Sequence, residues 1–223
     1  MVYKKSYKPK RKTYVKKKRY VSDNHPLTSV RMGLGFPKTM VVKQKYVDNL
    51  LFDSNIGVID NHQFIMNGMF KPDFTGTGHQ PMYFDQYMAI YNHFTVIGCK
   101  IKVTFTPHEI NLVPARVSLW QNDDTTITPP TVNSMAEQSK GKVTTVGSTG
   151  DSSKVLSMTW SAKKTFGPPM ANTLLRGNVT ANPIETSVAC ISVQSPDFVN
   201  RVFVDALVEM EFITVYSELR DIN

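Results

Sequence analysis

The side chains best equipped for chemistry in this 223-residue chain are five histidines, two cysteines and one adjacent pair of aspartates. His25, His62, His79, His93 and His108 show no HExxH run or other paired spacing that would gather them on a metal. His93 and His108 flank one candidate strand; solvated strand-end histidines are a simpler reading than metal-adjacent ones. Asp123 and Asp124 could help hold a divalent ion at a subunit contact, although an exposed polar loop accounts for them more simply. Cys99 and Cys190 sit in apolar runs without CxxC spacing. They read as reduced core thiols, with a disulfide between them the minor alternative. Phosphate-loop, nucleophile-elbow and dinucleotide-fold glycine motifs are absent from the sequence. The expectation is therefore a chain that is not an enzyme, with no catalytic residues, no metal and no cofactor.

A different chemistry is concentrated in residues 1–20, MVYKKSYKPKRKTYVKKKRY. Lys4, Lys5, Lys8, Lys10, Arg11, Lys12, Lys16, Lys17, Lys18 and Arg19 give ten cations and no acid. The whole chain holds 26 basic and 18 acidic residues, so removing those ten leaves 16 against 18. The rest of the chain thus carries −2, and the positive excess belongs to the arm alone. Each cation seated on a phosphate releases condensed counterions, with a slope of about 0.7 in log K against log salt per contact on a single strand. Tyr3, Tyr7, Tyr14 and Tyr20 are interleaved with the charges. Stacking on an unpaired base is worth about 1–3 kcal/mol and tolerates any base, so the mixture favours single strands. These fourteen side chains are the candidate nucleic-acid-binding residues. KPKRK at 8–12 and KKKR at 16–19 also suit a nuclear localisation signal. With little aliphatic content and ten repelling charges, the arm is expected to be disordered in isolation. Its lysine bias and Pro9 argue against a mitochondrial presequence.

The elements that must carry this arm are strands. Residues 21–37, with His25-Pro26, Gly33, Gly35 and Pro37, read as a linker, and 38–223 as one shell domain. In 202–216 the even positions from Val202 to Phe212 are apolar, while Asp205, Glu209 and Glu211 are odd: period two, one buried face. In 94–106, Ile97, Cys99, Ile101, Val103 and Phe105 point one way, with Lys100, Lys102 and Thr104 opposite. In 38–47, Met40, Val42 and Tyr46 oppose Lys43 and Lys45. Further strands are expected at 62–70, 114–121, 153–161 and 186–194, with an eighth near 142–147 or 173–180. Phe84, Tyr87, Met88 and Tyr91 recur at helical spacing, and 132–138 suggests another turn. No run of 18 apolar residues offers a membrane span. Eight antiparallel strands with long crossovers and no βαβ alternation indicate an all-β fold, a single eight-stranded antiparallel jelly-roll β-sandwich.

The Lys/Arg/Tyr-rich amino terminus, the β-sandwich layout and the segment GHQPMYFDQYMAIYNHFTVIGCKIKVTF (78–105) together resemble the capsid proteins of circular, replication-initiator (Rep)-encoding single-stranded DNA viruses, the circovirus-like group. The specific part is Pro81, Phe84, Asp85 and Tyr87 leading into the alternating strand Ile97–Phe105. The arm departs from circoviruses proper in being rich in lysine where theirs is rich in arginine. The resemblance implies a structural coat protein of sixty copies in a T=1 icosahedral shell, its arms inward on circular single-stranded DNA. It further implies residence in the virion and, during assembly, the host nucleus, with nuclear import receptors and a cell-surface receptor as further partners and no membrane insertion. Sixty such arms would bring roughly 600 positive charges against about one negative charge per nucleotide. A genome of about one to two thousand nucleotides would then be partly neutralised, with counterions or other basic surfaces supplying the rest.

Two further expectations follow. Jelly-roll order places the last strand between the first and the one at 94–106. Asp205, Glu209 and Glu211 would then lie on the same face as Lys43, Lys45, Lys100 and Lys102 and form a charge ladder with them. Trp120 and Trp160 both fall on strands, where core packing is a simpler fate than stacking on a base. The competing functions are a non-assembling viral movement or nuclear shuttle protein that coats single strands, and a cupin-like hydrolase. The latter would need a convergent His and Glu cluster that the scattered histidines do not offer.

Overall fold

The computed structural model describes residues 35–108, 111, 113–123, 132–148 and 153–221. The compact unit runs Lys38–Asn223. Its strands are β1 (Thr39–Ser54), β2 (Asp60–Ile65), β3 (Tyr91–Pro107), β4 (Ala115–Asn122), β5 (Lys142–Val146), β6 (Lys154–Ser161), β7 (Val188–Gln194) and β8 (Val202–Leu219). Short helices α1 (Phe84–Ile90), α2 (Val132–Glu137) and α3 (Ala162–Phe166) and a 3-10 turn at Thr173–Leu175 sit in the connections. None of the helices is long and apolar enough to cross a membrane.

The strands form two four-stranded antiparallel sheets, in the orders β1-β8-β3-β6 and β2-β7-β4-β5. Strands far apart in sequence are neighbours, and the two orders interlock as two wrapped Greek keys. This is the jelly roll. Period two decides the layering: along β8 the even positions Val202–Tyr216 are buried or nearly so, and Asp205, Leu207 and Ile213 face out. β1 pairs with β8 over its full length, from Thr39 opposite Ser217 to Ser54 opposite Val202. Between the sheets lies one core that includes Phe52, Phe64, Phe94, Phe105 and Phe212.

The second sheet is covered on both faces. β7 is buried at all seven positions. Ala189, Ile191 and Val193 belong to the main core, while Val188 and Cys190 turn outward onto Trp120 and Met135. Met135 of α2 thereby roofs the outer face, and the Ser118 hydroxyl donates to its Sδ at 2.9 Å.

α1 follows Tyr83, whose φ of 67° reverses the chain. The stripe expected from sequence is inward: Phe84 and Met88 are buried, Phe84 meets Phe94 edge-on at 5.4 Å, and Tyr87 stacks on Tyr216 at 4.8 Å. The helix then passes straight into β3.

Several expected details change. β1 continues seven residues beyond 47, because Leu50 and Phe52 prolong the inward alternation. β2 stops at Ile65, where the chain turns so that the Ile65 amide donates to the Pro72 carbonyl at 2.7 Å. The eighth strand is β5, at 142–146; segment 173–180 holds the 3-10 turn instead. Ile97 is not part of the inward row. The register of β3 on β8 shifts between Val96 and Gly98, so Phe94 and Val96 point inward before the bulge and Cys99 onward after it.

Candidate nucleic-acid interface

The fourteen arm residues, Tyr3 through Tyr20, lie outside the described residues. The linker positions 21–34, with His25, and Asp124 of the aspartate pair lie outside them as well. What the domain itself offers a polyanion begins with the outward face of the β1-β8-β3-β6 sheet.

On that face Glu211 of β8 lies opposite Lys45 of β1 and Lys100 of β3. Its carboxylate is 2.7 Å from the Lys43 ammonium and 3.6 Å from that of Lys45. Glu209, one step along the face, meets Lys102 at 2.6 Å. The hydrogen bond from Lys43 holds the Glu211 carboxyl below the usual carboxylate range, and the bond from Lys102 does the same for Glu209. The expected ladder is therefore present, with one change: Asp205 is on the same face but meets His108, 3.2 Å away, in place of a lysine. Three of the four lysines on this face are thus engaged by acids.

The remaining histidines are accounted for one by one. His93 lies 3.3 Å from Glu218 and His62 3.1 Å from Asp73, while His79 stacks on Tyr46 with centroids 4.4 Å apart. Among the described residues no three His, Cys, Asp or Glu side chains gather as metal ligands. Cys99 and Cys190 are free and buried in different clusters. Burial pushes both thiols up, that of Cys190 to about 12, so neither is a thiolate at neutral pH. Trp120 and Trp160 are core residues. The Trp120 indole N–H points to the Ser192 hydroxyl at 3.5 Å.

Two features escape the sequence pattern. Apolar side chains stand exposed at the ends of the ladder face, among them Val41 at 64% and Leu51 at 60%. They occupy the outward positions of a regular alternation, which the pattern rule assigns to polar residues. More stand on the connections, with Met82 at 74% and Ile184 at 81% exposed. Lysines also converge where β5 and β6 form the neighbouring edges of the two sheets. Lys140 and Lys142 come from one side and Lys164 from the other, more than twenty residues away in sequence. No local spacing signals that meeting.

No protein-family model matches the chain, and no curated protein sequence does. Among solved structures it is similar to that of Desmodium yellow mottle tymovirus, at 12% identity and a TM-score of 0.44, over 85% of this chain and 93% of that one. It is similar to tobacco necrosis virus at 10% identity and a TM-score of 0.47, over 83% and 85% of the two chains. For cocksfoot mottle virus the figures are 12%, 0.46, and 81% and 97%.

Proposed function

We propose that the chain is the coat protein of a small virus of the circovirus-like group. It assembles as sixty copies in a T=1 shell and packages circular single-stranded DNA through residues 1–20. The carrying observation is the division of labour: ten cations and four tyrosines lie in one uninterrupted arm, attached to a jelly-roll domain of charge near zero. The ladder supports this reading, because it leaves the arm as the main free reserve of positive charge. Exposed apolar side chains on a sheet face and on the connections support self-association, since a monomer gains nothing from leaving them in water. The role is structural, and nothing in it calls for catalysis. The basic runs at 8–12 and 16–19 serve import into the host nucleus before assembly.

Deleting residues 1–20 tests the assignment of the arm. The shortened chain is expected to fold with its β-sheet circular dichroism intact and to lose its nucleic acid, read as the ratio of absorbance at the nucleic-acid and protein maxima. Retention of nucleic acid by the shortened chain would remove the arm from this role.

A further inference from the structure

The meeting of lysines at the β5–β6 edge forms a cleft of about 360 Å³. Lys140, Lys142 and Lys164 reach it, Thr159 adds a hydroxyl, and Trp160 and Thr165 contribute to its wall, the Thr165 hydroxyl donating to the Ser161 carbonyl at 3.2 Å. Among the described residues no carboxylate lines it. Two of the ammonium groups are held by neutral acceptors: Lys140 Nζ donates to Gln121 Oε1 at 2.7 Å, and Lys142 Nζ to the Ser157 carbonyl at 2.6 Å. That anchoring fixes their position and, among the described residues, leaves their charge uncompensated, unlike Lys43, Lys45 and Lys102 of the ladder, whose ammonium groups meet glutamates. The Trp160 indole nitrogen is buried and has no hydrogen-bond partner among the described residues.

We infer that this cleft is a phosphate-binding site on the shell domain, taking the backbone of the packaged single strand. The inference rests on the function proposed above and adds to it a second, ordered contact outside the arm. Three cations, the Thr159 hydroxyl and, among the described residues, no acid match an anionic backbone with several acceptor oxygens per group. The arms alone neutralise part of a genome, and a fixed site on every subunit supplies charge that a counterion would otherwise provide. The ladder face, although it holds four lysines, cannot serve in the same way, because Glu209 and Glu211 stand among them and already pair with three.

The test is the salt dependence of oligothymidylate binding by the full chain. The variant Lys140→Gln/Lys142→Gln/Lys164→Gln is expected to lower the slope of log K against log salt by about 2, from about 0.7 per lost contact. The charge-conserving Arg triple at the same positions is expected to keep the wild-type slope, which separates lost charge from lost folding. Lys43→Gln/Lys45→Gln, two charges removed from the ladder, is expected to leave the slope unchanged. A steep wild-type slope that survives in the Gln triple overturns the cleft and spares the arm. A full chain that binds no oligothymidylate overturns the arm and the cleft together. An equal fall per charge in the ladder variant overturns the site as a specific one. Loss of binding to a sulfated polysaccharide with oligothymidylate binding intact overturns it in favour of a glycan site.

Discussion

Glu211 shows how a single residue sets the character of a whole surface. It faces Lys43, Lys45 and Lys100 across two strand pairs, so neutralising it leaves like charges side by side. Its folded-state pKa is lowered by those lysines, first of all by the bond from Lys43. Its contribution to stability is therefore complete above the ordinary carboxylate range and is lost as pH falls through the depressed folded value. Thermal unfolding across pH is expected to place Glu211→Gln below the wild type at neutral pH, with the two curves converging in acid. Parallel curves would mean that Glu211 acts by packing alone. Gly177 is a second such position. Its amide and carbonyl both bond to Phe94, at 2.9 and 3.0 Å, and a Cβ there would collide with the Phe94 ring. Gly177→Ala is expected to cost about 1–3 kcal/mol in denaturant unfolding, the range for forcing extra volume into a packed site.

At the scale of elements, the strands were legible because two periods rarely compete over eight or more residues of strict alternation. Jelly-roll order and pleat parity put Lys43, Lys45, Lys100 and Lys102 on one face with Asp205, Glu209 and Glu211, but do not say which acid meets which base: Asp205 meets His108. The bulge at Ile97 was not legible, because an extra residue leaves the composition of a strand unchanged while reversing its faces. α3, a single turn at Ala162–Phe166, is too short to show a helical period. α2 was anticipated as a turn, but its purpose was hidden. It covers the outer face of the second sheet, and that role depends on Met135 meeting Trp120 and Cys190. Met135→Ala is expected to destabilise the fold by roughly 2–4 kcal/mol, within the range for truncating a fully buried methionine. Trp120 fluorescence should shift to the red as the roof opens. A loss under 1 kcal/mol (about half the low end of that range) would show the cover to be dispensable.

For the whole molecule, the sequence revealed the split between a cationic arm and a nearly neutral body, and the structure supplied the body's architecture. The candidate site was legible in part. The arm could be read directly, since charge in one run needs no fold to bring it together. The cleft at Lys140, Lys142 and Lys164 could not, because only the approach of two sheet edges unites residues from two separate stretches of chain. On the function proposed above, the exposed Val41, Leu51, Met82 and Ile184 are surfaces that a second copy would cover. The central claim is that such copies close into a shell, and electron microscopy of the purified full-length chain tests it most directly. Uniform closed particles of a single diameter, carrying nucleic acid, are the expected result. A chain that stays monomeric or dimeric with single-stranded DNA present would contradict it.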